Sequence, residues 1–109
     1  MSEYAGERYH KCKKKYPKTM DKWHSIEGDM LSLFCKKQLD YGPNNIAMGG
    51  NDELALLGIA IRMNDKVQRL LTLLSSKEEP NNESIEDTFQ DIGNYAIMAQ
   101  ILRSGEWGK

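Results

Sequence analysis

Apolar residues recur at three- and four-residue spacing through three long stretches of the chain, and no segment alternates apolar and polar positions over the length of a strand. The first stretch carries Trp23, Ile26, Met30, Leu33 and Phe34, with Lys37 closing the stripe. Thr19 or Asp21 is placed to cap it, which predicts a helix to about residue 39. The second carries Leu56, Ile59, Met63, Val67, Leu70 and Leu74, while Leu54, Leu57 and Ile61 widen its first half until apolar surface nearly encircles it. Asn51 or Asp52 caps this helix, predicted over about residues 52–74. The third begins at Asn82 or Ser84 and runs to about residue 103, ahead of Gly105. Its stripe is Ile85, Phe89, Ile92, Ala96 and Ala99, with Tyr95 and Leu102 beside it.

Punctuation between these stretches is clear. Residues 40–45 read DYGPNN, and Gly42 and Pro43 forbid helix continuation. The loop from 40 to 51 is long enough to suggest a role beyond connection; its plainer reading is that Ile46 and Met48 pin it to the core. Residues 75–82, SSKEEPNN, read as a polar linker. Residues 1–17 are polar and basic, with Lys11, Lys13, Lys14 and Lys15 following Tyr4, Tyr9 and His10. They read as a short solvated helix tucked down by its tyrosines, or as an arm that touches nucleic acid. The expected fold is all-α: an antiparallel bundle of three main helices plus a short N-terminal helix, organised as an arm (1–17) and one helical domain (18–109). A helix apolar on nearly all sides is buried in a bundle or at a subunit interface, so the second helix predicts a homodimer or homotetramer.

Composition sharpens this picture modestly. With 109 residues and 39% apolar positions, the chain builds one thin core that association would complete. The formal net charge of -1 gives no overall attraction to nucleic acid or to an anionic membrane. No apolar run approaches the roughly 20 residues that span a bilayer, and the N-terminus lacks a signal-like segment, so the cytoplasm is the expected location. Cys12 and Cys35 show no ligand spacing and are expected to be free thiols.

Candidate chemistry concentrates on a few polar residues at telling positions. At roughly 100° per residue, Glu27 falls inside the first apolar stripe, where a carboxylate needs a cation, a hydrogen bond or a metal. Arg62, Asp65 and Arg69 share the side of the second helix opposite its main stripe, either as an ion-pair ladder or facing a shared cleft. Asp87, Asp91 and Asn94 project from one ribbon of the third. Two like charges four residues apart invite a compensating cation, either a hard metal ion or an arginine of the preceding helix. Gly49 and Gly50, feeding a helix N-terminus, make a plausible anion cradle. Phosphate-loop, dinucleotide, zinc-protease and serine-hydrolase motifs do not occur. His10 and His24 have no plausible nucleophile beside them.

Three blocks in order, DYGPNN, GIAIRMNDKVQRL and EDTFQDIGNYAIM, resemble the phage-associated family called nucleotide modification associated domain 1. The likeness covers roughly residues 26–107. That family resembles in turn the all-alpha nucleoside triphosphate pyrophosphohydrolases, which include MazG and the dimeric dUTPases. The wider resemblance implies an oligomeric bundle in which Mg²⁺, or Mn²⁺, sits on carboxylates arranged as ExxE on one helix and ExxD on a later one. It holds a triphosphate while water attacks the α-phosphorus. This chain departs from that pattern: Glu27 is followed by Met30 three residues on, and Asp87 and Asp91 are spaced by four.

Transferred to this chain, the resemblance implies Asp65, Asp87 and Asp91 as metal ligands, with Glu27 and Asp91 in catalysis. Arg62, Lys66 and Arg69 would meet phosphate, and Tyr41, Asn45, Gly49 and Gly50 would serve as base-recognition or lid residues. Asn94 would stand behind the ligands. The expected function is Mg²⁺-dependent hydrolysis of a (deoxy)nucleoside triphosphate. The alternative is a non-enzymatic phage protein in the host cytoplasm that sequesters a nucleotide or nucleotide signal, or blocks a host protein. A purely structural oligomer, with these charges as interhelical ion pairs, is the third reading.

Overall fold

The computed structural model describes residues 3–77 and 83–109. The centre of the expected linker, residues 78–82, and the side chains of Tyr4 and Met48 lie outside the described residues. Among those described there are four α-helices and no strand: α1 (Glu3–Lys15), α2 (Pro17–Tyr41), α3 (Asp52–Ser76) and α4 (Ile85–Ser104). Two short 3-10 turns, Pro43–Asn45 and Met48–Gly50, occupy the loop between α2 and α3. The all-α expectation holds. No described helix is long and apolar enough to cross a membrane.

Local chemistry sets the ends. α2 starts at Pro17 rather than at the expected caps Thr19 or Asp21, because proline's fixed φ and missing N–H suit the first helical position. At the start of α3, the Asn51 side chain accepts a hydrogen bond from the Leu54 N–H at 3.0 Å; at the start of α4, Ser84 accepts from the Asp87 N–H at 3.0 Å. Gly105 ends α4 in the left-handed region, φ 82°, and its N–H returns to the Leu102 carbonyl.

The chain divides into two compact units, Met1–Leu33 and Phe34–Lys109, the division falling between two residues of α2. In the first, the Tyr9 hydroxyl lies 2.8 Å from His24 Nε2, and His24 Nδ1 lies 2.9 Å from a Glu27 oxygen. Cys12 is half-buried and Cys35, in the second unit, is exposed; both are free.

In the second unit α3 and α4 run antiparallel, with Ile59 clustered against Met98 and Leu102 near one end and Arg69 on Thr88 near the other. Which residues face the seam differs from the expected stripes. On α4 the buried line is Thr88, Met98 and Leu102, with Asp91 and Tyr95 half-buried, while Phe89 and Ile97 are exposed. Thr88 is 0 % exposed because its hydroxyl donates to the Ser84 carbonyl at 3.0 Å and accepts from Arg69, so burying it leaves no polar atom stranded. On α3 the seam takes Ala55, Ile59 and Leu70, with Lys66, Arg69 and Leu73 half-buried, whereas Val67 and Leu74 of the expected stripe are exposed. Pairing lets charged residues occupy seam positions that periodicity assigns to apolar ones.

The tail closes the unit. Trp107 is buried, meets the Phe34 ring edge-on at 6.0 Å between centroids, and donates from its indole to the Pro43 carbonyl at 3.0 Å. It therefore ties the end of α2 and the α2–α3 loop to the chain terminus. Ala47 is buried beside it in the same core cluster, and Ile46 packs against that cluster.

Candidate functional site

Where the end of α2, the loop and the α3–α4 seam converge, the second unit holds a cavity of about 460 Å³. This lies in the size range of small-molecule sites, roughly 300–1,000 Å³. α2 contributes Phe34, Lys37, Gln38 and Tyr41; the loop contributes Gly42, Asn45 and Ile46. From α3 comes Arg62, and from α4 come Asp91, Asn94, Tyr95 and Met98. On the far side of Arg62 and Asn45 lies a smaller recess of about 140 Å³, whose walls include Ala55, Gly58 and Ile59.

Several expected site residues are brought here and several are not. Tyr41, Asn45, Arg62, Asp91 and Asn94 line the cavity. Gly49 and Gly50 do not: their positive φ angles, 70° and 73°, shape the turn into α3, and the Gly50 N–H is already donated to the Ala47 carbonyl. Glu27 belongs to the other compact unit. It is not a buried carboxylate but an exposed one, because Trp23, its neighbour in the stripe, is itself exposed and donates to it at 3.1 Å. The hydrogen bond from His24, and then that from Trp23, holds its carboxyl below the usual range.

The acidic trio does not assemble. Asp65 and Asp87 are exposed, Asp87 in the first turn of α4, where negative charge favours the helix N-terminus. Among the described residues no three His, Cys, Asp or Glu side chains meet as a metal-binding group. Asp91 instead accepts from Lys66 at 3.1 Å and lies 3.8 Å from Lys37. As arranged among the described residues, these side chains do not fit a protein-held Mg²⁺ or Mn²⁺, since the one carboxylate facing the cavity is bonded to the Lys66 ammonium and no second acidic side chain lines the cavity beside it.

Lys66 and Arg69, expected at phosphate, are committed to the seam. Lys66 Nζ reaches both oxygens of Glu83, at 2.9 and 3.1 Å, as well as Asp91. Arg69 donates to the Glu83 carbonyl, lies 3.5 Å from the Glu83 carboxylate and reaches the Thr88 hydroxyl at 3.4 Å. Burial pushes the Lys66 ammonium pKa down, but hydrogen bonds to Glu83 and Asp91 outweigh it and hold it above 10.5. For Asp91, burial pushes the carboxyl up, while contact with Glu83 and Lys66 and the charges of Lys37 and Lys66 bring it below 3.8.

Arg62 is different. Among the described residues no acidic side chain pairs with it, and it opens onto both cavities. Glu83 and Trp107 are the residues that sequence reasoning did not assign to this assembly. Glu83 precedes the cap of α4, outside any periodic segment, and Trp107 follows the last helix. No helical pattern registers either.

Among known protein families, the one described as nucleotide modification associated domain 1 matches residues 37–102, more than half of the chain. The chain belongs to that family. No curated protein and no solved structure matches it. The matched segment begins at Lys37 and ends at Leu102, and apart from Phe34 it contains every residue that lines the larger cavity.

Proposed function

We propose that this member of the nucleotide modification associated domain 1 family binds a nucleotide in the larger cavity, without needing a metal held by the protein. The observation that carries the reading is Arg62, a guanidinium unpaired by any described acid, opening into the same space as Phe34, Tyr41 and Tyr95. Aromatic faces receive bases by stacking, worth about 1–3 kcal/mol per base. The amides of Gln38, Asn45 and Asn94 each carry both donors and acceptors, as recognition of a base edge demands. Arg62 meets phosphate with a planar fork of donors, and Lys37, only loosely drawn to Asp91, adds a second cation.

Triphosphate cleavage with Mg²⁺, the chemistry of the all-alpha pyrophosphohydrolases, is the finer possibility. The pairing of Asp91 with Lys66 and Lys37 weighs toward binding alone. Thermal-shift measurements over a nucleotide panel test the reading, because a ligand at 100 times its Kd adds about 2.7 kcal/mol to the folded state. A panel with no stabilising member refutes it; pyrophosphate released only with Mg²⁺ or Mn²⁺ would extend it to catalysis.

The functional unit in this reading is a pair of chains. The face of α3 turned away from α4 exposes Leu57 and Ile61, at 58% and 55%, together with Leu54 and Leu71. Positions 57, 61, 64, 68 and 71 alternate steps of four and three, with Asn64 and Gln68 as the polar members. A seam of that spacing, interrupted by two amides, suits pairing with a second copy of the chain across a two-fold axis.

A further inference from the structure

We infer that the cavity is built for a single phosphate, so that its ligand class is the nucleoside monophosphate rather than the triphosphate. This rests on the nucleotide reading above and adds the phosphate number. The support is a charge inventory of the second unit. The charged side chains lining the cavity are Lys37, Arg62 and Asp91. Behind the lining, Lys66 and Arg69 balance Asp91 and Glu83, so the two uncancelled charges are those of Lys37 and Arg62, and a monophosphate, with about −1.5 to −2 charges at neutral pH, matches them. Each further phosphate brings more negative charge and needs its own donors.

The nearest candidates for such donors are occupied. Lys66 spans Glu83 and Asp91 at 2.9–3.1 Å, and Arg69 is spread over the Glu83 carbonyl, the Glu83 carboxylate and Thr88. Freeing Lys66 would strand two partly buried carboxylates, which is costly, and freeing Arg69 would take its donor from the Glu83 carbonyl. Residues 78–82 read EEPNN and hold no cation to lend. Gly49 and Gly50, the expected backbone cradle, do not line the cavity, and the Gly50 N–H is taken. The smaller recess beyond Arg62 is walled by Ala55, Gly58 and Ile59 and has no lining cation other than Arg62 itself. A third recess, of about 370 Å³, shares Phe34 and Gln38 with the cavity, but its one cation, Lys109, lines it together with the Glu106 carboxylate. β- and γ-phosphates would therefore remain in solvent or meet Asp91 or Glu106, and neither outcome adds affinity.

Calorimetric titration of the full chain tests this, using the deoxynucleoside and its 5′-mono-, di- and triphosphate for each of the four bases, plus inorganic phosphate, in EDTA and again with Mg²⁺. The expected result is a tenfold or greater gain in affinity from nucleoside to monophosphate for the preferred base, and no further gain with added phosphates. Arg62→Gln should abolish that gain. A triphosphate bound tenfold tighter than its monophosphate, with or without Mg²⁺, overturns the inference while leaving the nucleotide reading intact. So does Arg62→Gln binding monophosphate as the wild type does. If no nucleoside or nucleotide binds at all, the reading of the cavity itself is overturned.

Discussion

Replacing Lys66 with methionine should do more damage than replacing the acid it holds. In the native seam one ammonium satisfies two carboxylates, and Lys66, Asp91 and Glu83 are 25%, 16% and 26% exposed at their side chains. Removing the lysine leaves two like charges close together, each with only a long contact to another cation: Arg69 at 3.5 Å from Glu83 and Lys37 at 3.8 Å from Asp91. Exposed pairs contribute about 0–1 kcal/mol, whereas breaking a fully buried pair costs about 3–5 kcal/mol. With roughly three quarters of the native contact shielded from water, Lys66→Met should cost about 2–3 kcal/mol, intermediate between those limits. Asp91→Asn leaves Lys66 on both oxygens of Glu83 and keeps a carbonyl acceptor in place, so about 1 kcal/mol is expected.

At about 4–8 °C per kcal/mol for a domain of this size, the Tm should fall by roughly 10 °C or more for Lys66→Met and about half that for Asp91→Asn. The decisive variant is the double mutant. With Lys66 gone, Asp91→Asn removes one of the stranded charges, so the double mutant should be more stable than Lys66→Met alone. Thermal unfolding followed by far-ultraviolet circular dichroism, at one protein concentration and pH 7, measures all three. Simple additivity of the two losses, or Asp91→Asn proving the worse single change, would falsify the keystone role of Lys66.

The pH dependence follows from the same groups. The Asp91 carboxyl is depressed in the fold, so its stabilisation is present above its ordinary value of 3.8 and lost as pH falls through the lower folded value; Asp91→Asn should flatten that acid limb. Lys66 is raised, so its share is fully present below 10.5 and lost as pH climbs through the higher folded value. Gly58→Ala should stabilise α3 by up to about 1 kcal/mol, because a Cβ there meets nothing within 4 Å; destabilisation in a thermal melt would mean that some other chain segment fills that space. Gly108→Ala should loosen the tail, since φ is +75° and the added Cβ would lie 2.8 Å from Pro43 Cβ. The strain is about 1–2 kcal/mol, read as a red shift of Trp107 emission in a Trp23→Phe background, and an unshifted spectrum counts against it. Ile61→Glu should convert the proposed pair into single chains in light scattering, with helicity retained; an unchanged mass would dismiss the α3 face as the interface.

The helices were legible because their signals are local. Asn51 and Ser84 cap where capping chemistry places them, Gly105 ends α4, and Gly42 with Pro43 stops α2. The faces were less legible. Periodicity assigns a stripe to the most apolar side of each helix, which selected Phe89 over Thr88 and Leu74 over Lys66. Partnered polar groups reverse that choice, and their partners lie on another helix. The same contrast separates the expected residues that line the cavity from those that the seam takes up. Tyr41, Asn45 and Asn94 carry chemistry that suits any cleft, whereas the roles of Lys66, Arg69 and Asp91 depend on what stands opposite them.

The register between α3 and α4 explains why Arg62 meets no described acid. Ile59 clusters with Met98 and Leu102, Lys66 meets Asp91, and Arg69 meets Thr88, so the seam passes from apolar to charged along α3. Arg62 falls at the transition, at the level of Asn94 and Tyr95, which line the same cavity. Had α4 carried an acid there, Arg62 would be one more structural cation. Asn94→Asp supplies that acid with almost no change in shape. The new pair adds about 0–1 kcal/mol against the contact that Asn94 already makes, so the Tm should stay within a few degrees of wild type. The substitution should also lower nucleoside monophosphate affinity at least tenfold, because the ligand's phosphate must then displace a carboxylate of the protein. Monophosphate affinity equal to wild type in calorimetry, with the Tm preserved, would show that Arg62 is not the phosphate group's partner.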